Sequence, residues 1–176
     1  MPGNFTFEQL NLVIQYAFGW GGHHLYAFTP KGFGSQPSIE RVSPDKWYND
    51  EHVDLDSKKT KVANILTEKG NRFNYTYDFG DCWEHQIIVE AVLPEKAKHA
   101  TLIAGKGKCP PDDCGGVWGY KDFLEIVNDP KHPEYEEMRN WAMIPEGKTW
   151  DTSELILENR AWRVKELPED FFEGLL

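Results

Sequence analysis

Three cysteines, at Cys82, Cys109 and Cys114, are too few and odd in number to staple a disulfide framework. They leave thiols for packing or for metal, and a reducing cytoplasm is the expected compartment. No run is long and apolar enough for a membrane span, because Glu8, Gln9, Asn11 and Gln15 interrupt the first apolar segment. Residues 1–4 carry no basic side chain of the kind that opens a signal peptide. Positive charge is scarce as well: 19 Lys plus Arg stand against 29 Asp plus Glu, a formal net charge of −10. Since non-specific affinity for nucleic acid comes from neutralising phosphates, this balance disfavours a nucleic-acid partner. The one basic cluster, Ser57 to Lys61, is short, has no interleaved aromatics and reads as a solvated loop. No repeat, low-complexity tract or linker interrupts the chain, so one domain over residues 1–176 is expected, with a tail over 163–176 that frays or docks through DFFEGLL.

Aromatics are abundant: seven Trp, seven Tyr and ten Phe supply large apolar surfaces for a core. Thr6 and Gln9 have capping-box spacing, Phe5 and Leu10 have staple spacing, and Phe7, Leu10, Ile14 and Phe18 recur at helical period until GWGG ends the run. A strand is expected over His23–Phe28, a short one near Ile39–Val42, and a one- or two-turn helix over Val62–Gly70. In Arg72–Phe79 the aromatics Phe73, Tyr75, Tyr77 and Phe79 alternate with polar residues, which predicts a strand with Phe79 facing the core and Asp78 on the opposite face. Gly80 and Asp81 turn the chain into a second strand over His85–Leu93. Gly105–Tyr120 reads as a rigid, glycine-bounded loop, followed by helices beginning at Tyr120 and spanning His132–Ala142. Asp151 and Glu154 repeat the cap spacing before a last helix over Leu155–Trp162.

The stretch YTYDFGDCWEH contains Asp-Phe-Gly, but nothing ahead of Asp78 supplies the glycine-rich loop, strand lysine and His-Arg-Asp loop that a kinase requires. Four blocks, FTFEQLNLVIQYAFGWGGHHLYAF, YTYDFGDCWEHQIIVE, CPPDDCGGVWGY and FLEIVNDPKHPEYEEM, instead resemble in order the motifs of the plasmid pRiA ORF-three-like family, also labelled the insertion-element passenger TnpR-like family. The resemblance runs from about Phe5 to about Leu157. It implies an α+β fold with a mixed sheet, a β-grasp-like core and additional C-terminal helices. It also implies a link to plasmids or mobile elements, and no established activity. Family members carry two strands ahead of the first helix; this sequence starts almost at the helix, so the first hairpin is apparently missing. An open sheet edge would follow, and with it self-association or strand addition by a protein partner.

Three readings of the polar residues follow. Cys82, His85, Cys109 and Cys114 supply thiols and an imidazole that suit a tetrahedral zinc ion, set against thiols that merely pack. Asp78, Asp81, Glu84, His85, His24, Asp112 and Asp113 could form a metal-dependent hydrolase or nuclease centre, set against turn aspartates that hydrogen-bond backbone amides. Trp20, Trp83, Trp118 and Tyr120 fall beside glycine turns, where they could anchor a partner or simply lid the core. His24 and His85 are expected to meet near one sheet end and order the Asp78–Trp83 turn. A non-enzymatic interaction or accessory module is the preferred reading, with the hydrolase and a nucleic-acid accessory role as alternatives.

Overall fold

The computed structural model describes residues 1–42, 54–155 and 157–167. Its elements are α1 (Phe7–Phe18), β1 (Tyr26–Thr29), β2 (Ile39–Glu40), β3 (Leu55–Asp56), β4 (Arg72–Tyr77), β5 (Trp83–Ile88), α2 (Gly116–Asn128), α3 (Tyr135–Trp141) and α4 (Leu157–Lys165). The strands form a mixed sheet in the order β3-β2-β1-β4-β5, antiparallel except for the parallel pair β2–β3. The fold is α+β, with α1 laid across one sheet face.

The start of α1 is as its sequence requires. The Thr6 hydroxyl accepts from the Gln9 amide at 3.2 Å, and the Thr6 amide donates to Gln9 Oε1 at 2.8 Å, so two otherwise unpaired donors are satisfied reciprocally. Gly19, at φ 90°, closes the helix by donating its amide to Gln15. The last turn of α1 has no basic residue of its own, but the Arg160 guanidinium of α4 lies against Gly19, where a cation meets the negative end of the helix dipole. Phe5 and Leu10 are both buried but do not share a cluster. Phe5 packs with Ala100 and Val164, Leu10 with the sheet aromatics.

Phe7 meets Phe28 edge-on at 5.0 Å, and Phe28 lies 4.8 Å from Tyr75. Within this apolar layer the Tyr75 hydroxyl donates to Asn11 Oδ1 at 2.6 Å and accepts from Gln15 Nε2 at 2.7 Å. Such a buried polar tie fixes the axial position of α1 over β4, since sliding would leave polar groups unpaired. On the reverse face, the loop after β1 covers β4 and β5: the Phe33 amide donates to Glu84 Oε1 at 3.0 Å, and Thr76 is fully buried there.

Several boundaries depart from the sequence reading. Strand β4 stops at Tyr77 because Asp78 takes φ 54°, and Phe79 leaves the core to pack on Phe33 at 4.7 Å. Strand β5 starts earlier than expected, at Trp83, and ends at Ile88. The expected helix over Val62–Gly70 is a single 3-10 turn, Val62–Asn64. Helix α2 begins at Gly116, four residues before the sequence signal, so Trp118 and Tyr120 stand on a helix and not in a loop. Asp151 does not cap α4; its carboxylate accepts from the amide and hydroxyl of Ser153 in a local turn. Ile156 of the expected last helix, and residues 168–176 of the expected tail, fall outside the described residues.

Candidate functional site

Three loops interlock at the end of the sheet where β1 begins and β4 turns into β5. They are the glycine-rich exit of α1, the Asp78–Cys82 turn and the Cys109–Gly115 loop. Trp20 is the hub: buried, it lies 4.9 Å from the Tyr77 ring in a stacked orientation and donates its indole N–H to the Pro110 carbonyl at 3.1 Å. The aspartates are spent on backbone and neighbours. Asp112 Oδ2 accepts from the Gly21 amide at 3.2 Å and lies 3.5 Å from the Tyr77 hydroxyl; Asp81 Oδ2 accepts from the Gly115 amide at 3.0 Å; Asp78 Oδ1 accepts from the Gly80 amide at 2.9 Å. Asp78, Cys82 and Asp113 hold φ values of 54°, 54° and 59°, a left-handed conformation that aspartate tolerates better than most residues.

His24 sits between two carboxylates. Its Nδ1 lies 3.7 Å from Asp78 Oδ2, and its Nε2 lies 3.0 Å from Asp113 Oδ1 at ion-pair distance, without the alignment of a hydrogen bond. These three side chains bring one potential ligand atom each within 4.8 Å of one another, the group of three that the described residues gather. Oxygen and imidazole donors of this kind suit manganese, zinc or iron better than a thiolate metal.

The thiol-based zinc set does not gather around one point. Cys82 is exposed on the turn. Cys109 and Cys114 pack partly buried against the core, and burial, the leading cause, pushes their pKa values up to about 12 and about 11, so both are neutral thiols. His85 packs into an aromatic wall formed by Phe18 at 5.0 Å, Trp20 at 5.6 Å and Tyr75 at 5.7 Å. Burial depresses its pKa, although contacts with the backbone of Tyr75 and Trp83 pull it partly back. His24 packs edge-on against Tyr77 and lies beside the Asp78 carboxylate, while His85 belongs to the aromatic wall around Trp20. Of the hydrolytic set expected from sequence, Asp78 lies beside His24 and Asp113, Asp81 accepts from the Gly115 amide, and His85 packs among aromatic rings.

Among the aromatic candidates, Trp83 is buried and Tyr120 is a partly buried support whose hydroxyl accepts from Trp150 Nε1 at 3.2 Å. Trp118 is 78% exposed on the first turn of α2. Sequence reasoning missed a groove of about 830 Å³ beside the junction. One wall is Phe18–Gly21 with Cys109–Asp113; the other comes from Trp141–Met143, Trp150, Glu154 and the Asn159–Arg163 segment of α4. Only the Trp residues on short amphipathic segments hinted at it, and a Trp in such a segment is more often core.

The junction is built from the same blocks that carried the resemblance, and comparison with known proteins agrees. The family described as "Plasmid pRiA4b ORF-3-like protein" matches residues 1–159. The chain is 34% identical over 146 residues to the uncharacterized protein y4hQ of Sinorhizobium fredii, covering 81% of this chain and 70% of that protein. It is also similar to the crystal structure of the protein of unknown function MM3350 from Methanosarcina mazei Go1, with a TM-score of 0.69 and 29% identity over 90% of this chain and 85% of that one. The chain belongs to the plasmid pRiA4b ORF-3-like family.

Proposed function

We propose that this protein is a non-enzymatic interaction or accessory module that engages another polypeptide strand along the outer edge of β5, a second copy of itself being the first strand available. Its tie to plasmids or other mobile elements rests on the family description. The observation that carries the reading is the orientation of the β5 backbone. The Asp78 amide donates to the Leu25 carbonyl at 2.8 Å, which turns the even-numbered positions of β4 toward β1 and the odd-numbered ones toward β5; the Val89 amide, bonded to the Asn71 carbonyl at 3.0 Å, agrees. In the antiparallel ladder the amides of Glu84, Gln86 and Ile88 therefore point away from the sheet, and β5 ends the strand order. A six-residue edge that no described strand pairs is a template for strand addition, and exposed Ile88, Val92 and Leu93 extend it with apolar surface.

Sedimentation equilibrium over a wide concentration range tests this. Gln86→Pro removes one outward donor and leaves the β4 ladder intact, because proline is tolerated where the N–H faces away from the sheet. The expected outcome is a concentration-dependent dimer that the substitution weakens; a monomer at every concentration sinks the reading.

A second reading, a metal-dependent hydrolase, is favoured by one observation: the His24, Asp78 and Asp113 group. Calorimetric titration with Mn²⁺ and Zn²⁺, alongside turnover of a chromogenic phosphodiester, decides it. Binding and turnover that are both lost in His24→Ala support it, and neither heat nor product ends it.

A further inference from the structure

Independently of the β5 edge, we propose that the groove between the Cys109–Asp113 loop and α4 is a docking site for an acidic peptide segment of another protein, one carrying bulky apolar side chains beside its carboxylates. Large apolar side chains are exposed around this concavity: Met143 is 86% exposed and Trp162 64% exposed, with Trp141 half-exposed between them in the lining. Pro110 and Pro111 make the facing wall stiff, so little order is lost there on binding. Exposed aromatics gathered on one concave surface mark an interaction site more than scattered ones do.

The charge of the occupant follows from which groove residues already have counter-charges. Every carboxylate in the lining is engaged: Asp112 by the Gly21 amide, Asp113 by His24, and Glu154 by Lys108 Nζ at 2.7 Å, with that ammonium also lying 4.1 Å from the Trp150 ring centre. Arg160 and Arg163, one turn apart on α4, have no carboxylate within ion-pair distance among the described residues. Arg160 faces the end of α1 and the Cys109 thiol, which is neutral and supplies no negative charge. Among the described residues, the unmet charge in this groove is thus positive, in a chain of net charge −10. Arginine beside tryptophan suits a carboxylate next to an aromatic or leucine side chain, the guanidinium taking the carboxylate and the indole the apolar group. A phosphate backbone fits less well, since it would bring a charge per nucleotide toward Asp112, Asp113 and Glu154.

The test uses the full chain and a displayed library of random peptides, about twelve residues long, selected on the immobilised protein. Selected peptides are then measured against wild type, Trp162→Ala and Arg163→Glu. Both positions are exposed, so thermal midpoints should match wild type, and a variant that fails this control is replaced by Met143→Ala or Arg163→Gln. The expected result is enrichment of Asp or Glu within two positions of Phe, Trp or Leu, with binding weakened at least about tenfold by either substitution. A peptide with Lys in place of its acid should regain binding on Arg163→Glu. Groove-dependent peptides without an acidic residue overturn the charge argument. Selection that yields no peptide, or peptides indifferent to both substitutions, overturns the site, and a single-stranded DNA oligonucleotide that binds with the same sensitivity in place of any peptide overturns the assignment of the occupant. None of these outcomes bears on dimerisation through β5, which Gln86→Pro reports separately.

Discussion

Tyr75 and His85 stand opposite each other on β4 and β5, and burial acts on them in different ways. Tyr75 is fully buried, yet its hydroxyl is paired twice, and desolvation raises its pKa far above the range in which it would ionise. Tyr75→Phe keeps the ring and strands Asn11 and Gln15, so urea unfolding should show a loss of about 1–3 kcal/mol; an unchanged midpoint would mean that water replaces the hydroxyl. His85 has no partner at Nδ1, and burial lowers its pKa from the ordinary value of 6.5. As pH falls through 6.5 the unfolded chain takes up a proton that the folded chain refuses, so stability drops on acidification, by at most about 1.4 kcal/mol per pH unit. Glu8, whose pKa burial raises from 4.5, acts in the opposite sense, so the comparison with a His85 variant is what separates the two contributions. His85→Gln should flatten the stability curve just below pH 6.5, and an identical slope in the variant would assign the effect to another group.

At the scale of elements, legibility followed local chemistry. The start of α1 could be read because a capping box is written in neighbouring residues, and the alternation from Phe73 to Tyr77 revealed β4 for the same reason. Phe79 was misread because the alternation continued in sequence after Asp78 had already left the strand for a left-handed turn. The early start of α2 was hidden by Gly115 and Gly116, which read as loop and instead bring the chain against the Asp81 carbonyl before the first helical turn. Gly116 has φ 68°, and a Cβ there would overlap that carbonyl oxygen. Gly116→Ala should therefore destabilise the folded protein by about 1–3 kcal/mol in thermal unfolding, and a neutral effect would show that the two loops are not locked together. The site residues His24, Asp78, Asp112 and Asp113 were legible as a set. Their pairing was not, since it depends on which loop approaches which, over separations of 35 to 91 residues. The groove arginines carry no local signal and its tryptophans only a weak one, because exposure on a helix is decided by its neighbours.

At the scale of the molecule, one end of the sheet is sealed by three interlocked loops, and its long side edge at β5 is left with its amides outward. Among the described residues no helix is long and apolar enough to cross a membrane, and the two proposals of a partner rest on the β5 edge and the α4 groove. The reading of the protein as an interaction module depends on the edge. Amide hydrogen exchange at Glu84, Gln86 and Ile88, followed as protein concentration is raised, tests that dependence most directly. Fast exchange is expected in dilute solution, with protection that grows with concentration at these three positions in the wild type and fails to grow at Glu84 and Ile88 in Gln86→Pro. Exchange that stays fast at every concentration, or protection already complete in the dilute monomer, would contradict it.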